Sequence, residues 1–170
     1  MTRTVLVSLF VVSTLAACKK QPPEPAPADV EPVAALAVKM STEQAVAKLQ
    51  EQFARVHFDF DSSALNAETK AALSANADIL QRHPRLSVEV QGHADERGTT
   101  DYNLALGQKR AAAVQAYLAA LGVGGARVTT VSYGEEAPLE RSNDEVAWSK
   151  NRRCEFRILV GEAGIEGTTR

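Results

Sequence analysis

Hydrophobic and polar residues alternate in four stretches of the chain. A period of two is typical of strands that bury one face. The four stretches are residues 56–60, 86–91, 128–133 and 152–160. The alternation therefore predicts four strands.

Apolar residues recur at steps of three and four between these stretches, and this spacing predicts helices. One helix is expected to run from Asn66, a favourable N-cap, through Leu80. A longer helix follows the second strand and ends before Gly122, because glycine suits a left-handed C-cap. The buried stripe predicted for this long helix consists of Leu104, Gly107, Ala111, Val114, Leu118 and Leu121.

A short helix is expected before the last strand. Ser142 and Glu145 fit its capping box. Trp148 is expected to fill the core beneath it, and the alternative is an exposed contact with a partner. The order is thus strand, helix, strand, helix, strand, short helix, strand. We expect an α+β fold (an α/β two-layer sandwich) over residues 55–160, with a four-stranded mixed sheet and helices packed on one face. A further short helix over residues 41–54 leads into this domain.

The first residues of the chain have the features of a lipoprotein signal. The apolar run from Val5 to Leu15 is too short to cross a membrane, which takes about 20 residues. Two alanines then come before Cys18, as in a bacterial lipobox. We therefore expect residues 1–17 to be removed and Cys18 to carry the lipid. The alternative is an ordinary secretory signal with a chance cysteine.

Two segments lack the pattern of a packed element. Residues 18–40 are rich in proline, which favours extended conformations and cannot build a core, so we expect a tether. At about 3.1 Å per residue, twenty such residues would reach roughly 60 Å. Residues 161–170 are polar and rich in glycine, and we expect a frayed tail there.

Composition narrows the classes of partner. The formal net charge is -2 over 170 residues, and aromatic residues make up 5%. Both values oppose a basic, base-stacking surface, so we expect no nucleic-acid partner. Cys154 falls on the apolar side of the last strand and is expected to be a small buried hydrophobe rather than a reactive thiol.

The sequence predicts neither a metal site nor a cofactor. His93, Asp95 and Glu96 lie together, but at the end of a strand their side chains would point in different directions, and no fourth ligand is evident. The segment that begins at Asp59 resembles the start of a calcium loop. That assignment fails because Lys70 stands where the bidentate glutamate belongs.

Polar side chains gather where the second strand leads into the long helix. Asp95 lies in the connecting loop, while Asn103 and Arg110, seven residues apart, share one helix face with Leu106 near them. A carboxylate and a guanidinium in one cleft suit a ligand that carries both an amine and a carboxylate. The alternative is a simple pair between Asp95 and Arg110, which at a surface contributes only about 0–1 kcal/mol.

Several stretches together resemble the OmpA-like peptidoglycan-binding domain family, and within it the lipid-anchored members of the Tol–Pal system. The resemblance covers roughly residues 50–160 and is more specific than any single motif. The stretches are VHFDFDSS at 56–63, GHADERGT at 92–99, YNLALG at 102–107, RA at 110–111, SYGEEAP at 132–138 and WSKNRR at 148–153.

The resemblance implies a non-catalytic wall binder. Its ligand would be the peptide stem of peptidoglycan, in particular diaminopimelate. By motif position, Asp95 and Arg110 match the ligand-contacting residues of the family, and Asn103 matches a supporting asparagine. The pocket is expected to be lined further by Phe58, Asp59 and Leu106.

The resemblance also implies a place and a partner. Lys19 is not the aspartate that retains lipoproteins at the inner membrane, so we expect residence in the outer membrane, facing the periplasm, through the lipid on Cys18. The expected partner is the periplasmic propeller protein of the Tol system, with a role in envelope integrity and cell division. Two other functions stay open: a wall hydrolase that uses His93 with Asp95 or Glu96, and a purely protein-binding scaffold.

Overall fold

The sheet of this domain has four strands in the order β1-β4-β2-β3. The computed structural model describes residues 43–159. β2 pairs with β3 in parallel and with β4 antiparallel, while β1 pairs with β4 antiparallel. The predicted α+β fold with a four-stranded mixed sheet is therefore confirmed. The strands are β1 (Val56–His57), β2 (Ser87–His93), β3 (Val128–Gly134) and β4 (Arg153–Leu159).

Four α-helices accompany the sheet within residues 43–159, and none of them is long and apolar enough to span a bilayer. The expected signal (residues 1–17), the lipidated Cys18 with its tether (residues 18–40) and the tail (residues 161–170) lie outside the described residues. The helices are α1 (residues 43–50), α2 (Ala67–Arg82), α3 (Thr100–Ala120) and α4 (Glu145–Asn151).

Side-chain caps set where the helices begin. Asn66 caps α2 as predicted, because its Oδ1 accepts a hydrogen bond from the Thr69 amide at 2.8 Å. The predicted cap of α4 is wrong: Asp144, not Ser142, accepts from the Ala147 amide at 2.8 Å. Glu145 is the first residue of that helix, so it stands too early to close a capping box.

The hydrophobic core lies between the helices and one face of the sheet. Along β2, Val88 and Val90 are fully buried, while Glu89 and Gln91 on the opposite face are partly exposed. Leu49 and Phe53 of the lead-in segment join this core, and Val46 packs against it. Cys154 is also fully buried, and burial raises the pKa of its thiol to about 12, as expected of a structural cysteine.

The phase of α3 differs from the prediction by one residue near its start. Leu104 is 45% exposed, whereas Asn103 and Arg110 are buried. Steps of three or four residues fit either phase, and the buried Asn103 and Arg110 are tolerated because both side chains find hydrogen-bond partners. The residues that α3 buries are Asn103, Gly107, Arg110, Ala111, Val114 and Leu118.

The first strand is shorter than the alternating pattern predicts. It ends at His57, and the Phe58 amide still donates to the Arg152 carbonyl at 3.0 Å. Beyond that point the chain leaves the sheet and turns through Asp61, whose φ is 49°. The turn carries Phe60 and Asp61 to the end of β2, where the polar residues gather.

Candidate functional site

A pocket of about 220 Å³ opens where β2 ends and α3 begins. Three segments bound it: the turn after β1, the β2–α3 loop and the first turns of α3. Asp95, Asn103, Leu106 and Arg110, four of the predicted site residues, line it together. The remaining lining residues are Phe60, Asp61, Arg97, Gly98 and Tyr102.

The other two predicted residues lie behind the pocket wall. Phe58 is buried, with its ring centroid 5.2 Å from the guanidinium carbon of Arg110. The carbonyl of Asp59 accepts a hydrogen bond from Arg110 at 3.1 Å, while the residue itself is exposed. Both therefore hold Arg110 in place, and neither is among the residues that line the pocket.

Arg110 is fully buried and ties three segments together through backbone carbonyls. Its guanidinium donates to the carbonyl of Ser62 at 2.8 Å, of His93 at 2.7 Å and of Asp59 at 3.1 Å. Burial lowers the pKa of Arg110 to about 10, so the side chain is still charged at neutral pH. Three of its five N–H groups are used on backbone carbonyls, which leaves two.

Asp95 is one of two aspartates that line the pocket, and arginines surround it. Oδ1 accepts from the amide and from Nε of Arg97, both at 3.2 Å. Oδ2 accepts from Arg97 at 2.7 Å and from Arg152 at 3.3 Å. Burial alone would raise the pKa of this carboxyl, but the hydrogen bonds from Arg97 and Arg152 bring it below its ordinary value. The simple Asp95–Arg110 pair considered from the sequence is not formed; Asp95 pairs with Arg97 and Arg152.

Arg97 lies between two aromatic rings at the rim. Its guanidinium carbon is 4.0 Å from the ring centroid of Phe60 and 4.2 Å from that of Trp148. Trp148 was predicted to fill the core, and this is wrong: it is only partly buried, and its Nε1 donates to Glu96 at 3.0 Å. The short helix α4 buries Ala147 instead, which leaves Trp148 at the edge of the site.

Arg152 anchors the deeper side of the site. Its side chain is 8% exposed and donates to the Phe58 carbonyl at 3.1 Å, to Asp95 and to Glu145 at 2.7 Å. It thereby links the end of β1, the β2–α3 loop and α4. Such a buried, multiply bonded arginine fixes the position of Asp95.

Polar contacts also fix the N-terminal turns of α3. Asn103 donates through Nδ2 to Glu135 at 2.6 Å, and Thr100 donates to the same carboxylate at 2.8 Å. The hydroxyl of Tyr102 donates to Asp61 across the mouth of the pocket. The start of the helix is thus held to both neighbouring loops.

The histidine of the hydrolase alternative is not part of a catalytic pair. Neither ring nitrogen of His93 has a hydrogen-bond partner among the described residues, and its ring stacks on Tyr133 with centroids 5.4 Å apart. Burial lowers the pKa of His93 to about 4. The carboxylate of Asp95 accepts from arginines and that of Glu96 from Trp148, so the geometry opposes a His–carboxylate pair. Within residues 43–159, no three His, Cys, Asp or Glu side chains form a group that could hold a metal.

Four lining side chains were missed from the sequence: Phe60, Asp61, Arg97 and Tyr102. Phe60 and Asp61 were assigned to a strand end and a turn, and only the early departure of the chain from β1 brings them to the pocket. The sequence offers no signal for Phe60, because it continues an alternating apolar pattern and only the structure shows that it is 57% exposed.

Comparison with known proteins places this domain among relatives of one kind. The peptidoglycan-associated lipoprotein of Brucella melitensis is 50% identical over 100 residues, which are 59% of this chain and 60% of that protein. The chain thus spans less than two thirds of the length of that relative. The peptidoglycan-associated lipoprotein of Pasteurella multocida is 49% identical over 109 residues, which are 64% of this chain and 73% of that protein.

Solved structures agree with this. The peptidoglycan-associated lipoprotein from Burkholderia pseudomallei has a TM-score of 0.60 at 46% identity and covers 62% of this chain and 89% of its own. A model of the OmpA family matches residues 57–152, more than half of the 170 residues. The chain therefore belongs to the OmpA family.

Proposed function

We propose that this chain is a lipid-anchored protein of the outer membrane whose domain binds the peptide stem of peptidoglycan without cleaving it. The observation that carries the proposal is a pocket that has both Asp95 and Arg110 among its lining residues. The similar proteins named peptidoglycan-associated lipoprotein support it. Bound to the membrane through Cys18, the domain would tether that membrane to the wall.

The pocket suits the free end of diaminopimelate, which carries an ammonium and a carboxylate. The ammonium would donate to the carboxylate of Asp95. The carboxylate would accept from the two N–H groups that Arg110 does not use on backbone carbonyls. Leu106 and Tyr102 supply apolar surface for the methylene chain between them.

Preorganisation favours binding over catalysis in this pocket. Arg110 and Asp95 are held by buried hydrogen bonds, so little side-chain entropy would be lost when a ligand binds. Asn103 is likewise fixed by Glu135. Rigid, complementary charges of this kind give a small zwitterionic ligand both affinity and orientation.

The direct test is a muropeptide titration of the wild-type protein and of one variant at each of the two charged residues. D95N removes the negative charge and R110K removes the planar fork while keeping a positive charge. We expect each to weaken binding of a diaminopimelate muropeptide at least tenfold, and saturable wild-type binding to intact sacculi without release of wall fragments. E89Q is the matched control, because Glu89 pairs with Arg157 at 3.1 Å away from the pocket. Unchanged affinity in both site variants, with folding intact, would sink the site assignment, and released wall fragments would favour the hydrolase.

The proposed role in the envelope also includes a protein partner. The periplasmic propeller protein of the Tol system would bind surface that overlaps the pocket, linking this chain to envelope integrity and cell division. Competition between that protein and the muropeptide for wild-type protein would support one shared surface. Simultaneous binding of both would contradict it, and capture of the protein partner alone would favour the scaffold.

A further inference from the structure

The carboxylate of Asp95 is not open to a ligand in this conformation. Its side chain is 5% exposed, and three of its four hydrogen bonds come from one residue, Arg97. Two of these three bonds come from the guanidinium. A ligand ammonium can reach the Asp95 oxygens only where the guanidinium now stands.

Arg97 and Arg152 hold Asp95 in different ways. Arg152 is 8% exposed and also donates to the Phe58 carbonyl, so its departure would leave a buried carbonyl without that partner. Arg97 is 30% exposed, and the partners of its guanidinium are side chains of the site: Asp95, Glu145 at 3.5 Å, and two aromatic rings. Arg97 is therefore the replaceable partner of Asp95.

The surroundings of Arg97 suit a cation of any origin. Phe60 and Trp148 present ring faces to it, and Asp95 and Glu145 supply negative charge. Aromatic faces combined with carboxylates attract ammonium groups as well as guanidinium groups. The loop that carries Arg97 also contains Gly98, whose φ is 119°. The contacts of Arg97 thus outline a cation subsite that the chain fills with its own side chain.

We propose that Arg97 is an internal ligand of this subsite, and that the ammonium group of a wall peptide binds by displacing the Arg97 guanidinium from Asp95. The inference rests on the proposed function and adds a specificity-determining residue to it. Displacement makes binding selective, because a neutral group in the same position cannot replace the charge of Arg97 beside Asp95. Displacement also weakens binding: the apparent affinity is the intrinsic affinity multiplied by the fraction of molecules in which Arg97 has moved away.

The test compares affinities of wild-type protein and two Arg97 variants for a diaminopimelate muropeptide, measured by calorimetry. R97Q removes the competing charge and is expected to bind about tenfold tighter, as it would if Arg97 vacates the subsite in about a tenth of the molecules. R97K keeps the charge but loses the fork that bonds both oxygens of Asp95, so it is expected to lie between the two. R157Q, which removes an arginine paired with Glu89, is the matched control and is expected to bind like wild type.

Acetylation of the free amine of the muropeptide tests whether the effect of R97Q comes from displacement of Arg97 or from the changed net charge of the protein. The acetylated ligand is neutral at that position, so wild type and R97Q are expected to bind it equally. A second measurement needs no variant: the Nε–H of Arg97, bonded to Asp95 in the free protein, should lose its protection from exchange at saturating muropeptide.

The outcomes distinguish the two proposals. Binding of the muropeptide to wild type, with R97Q equal or weaker or with the Arg97 Nε–H still protected at saturation, overturns the inference and leaves the proposed function standing. Absence of binding in wild type and both variants overturns the proposed function and the inference with it. Both proposals are supported if R97Q binds the muropeptide more tightly than wild type does, if this difference disappears with the acetylated muropeptide, and if the Arg97 Nε–H loses its protection from exchange.

Discussion

Gly92 and Gly107 bring the end of β2 and the middle of α3 into backbone contact. A Cβ placed on Gly92 would lie 2.0 Å from the carbonyl oxygen of Gly107, and one placed on Gly107 would lie 2.3 Å from Oγ of Ser132. Real side-chain atoms do not approach this closely, so only glycine fits at either position. The contact places the first turns of α3, with Asn103 and Leu106, directly over the strand that leads to Asp95.

We expect Gly107→Ala to destabilise the domain despite the better helix propensity of alanine. Propensity favours alanine by about 1 kcal/mol, whereas overpacking costs typically 1–3 kcal/mol and the clashing atoms here are partly backbone. The free energy of unfolding measured with urea should therefore fall. Gly125→Ala is the control, because a Cβ at Gly125 meets nothing within 4 Å. Equal stability of the two variants would contradict the close contact.

The parts of the fold that depend on local pattern were predictable. The alternation that marks β2 and β3, and the N-cap Asn66, are signals carried by neighbouring residues, and the observed elements follow them closely. Gly107 was predicted to lie on the buried stripe of the long helix, and its burial against Gly92 confirms this.

The predictions that failed depend on partners distant in sequence. Arg110 is buried, whereas Leu104 is exposed. The reason is that Arg110 donates hydrogen bonds to the carbonyls of Ser62 and Asp59, which lie 48 and 51 residues earlier in the chain. The same bonds draw the chain away from β1, which ends earlier than its pattern predicts. The bond between Asp95 and Arg152, 57 residues apart, follows the same rule, whereas Arg97 is a local partner two residues from Asp95. No periodicity records such pairings, since they belong to the assembled site.

Arg110 is expected to matter for folding before it matters for binding. R110M should lower the free energy of unfolding by about 3–5 kcal/mol, because three carbonyls lose the charged donor that satisfies them in a buried site. R110K, which keeps the charge and one donor group, should lose less. Urea unfolding monitored by circular dichroism gives both values. A negligible loss in R110M would show that the three bonds are dispensable.

Gln50 completes the edge of β4 with its side chain. β1 pairs with Arg153 and Cys154, and among residues 43–159 no strand flanks the later residues of β4 on that side. The Gln50 amide donates to the Phe156 carbonyl and accepts from the Ile158 amide at 2.9 Å, as a neighbouring strand would.

Gln50→Ala is therefore expected to cost about 1–2 kcal/mol and to speed hydrogen exchange at the Ile158 amide, since two backbone groups lose their partners. Gln52→Ala is the matched control, because the Gln52 side chain makes only a long, exposed contact with the Lys48 carbonyl at 3.5 Å. If exchange at Ile158 is equally fast in wild type and Q50A, Gln50 does not protect this edge.

His93 is expected to make the domain less stable in mild acid. Burial lowers its folded-state pKa to about 4 from an ordinary value of 6.5, so the unfolded chain takes up a proton first. The stabilisation is fully present above pH 6.5 and is lost as the pH falls toward 4. Between pH 7 and pH 5 the free energy of unfolding should fall by about 2 kcal/mol because of this one residue.

H93F keeps a flat ring against Tyr133 and removes the titration. Urea unfolding of both proteins across this range isolates the effect, because other titrating groups are shared. Parallel curves for wild type and H93F would show that His93 is protonated as readily in the folded state as in the unfolded chain.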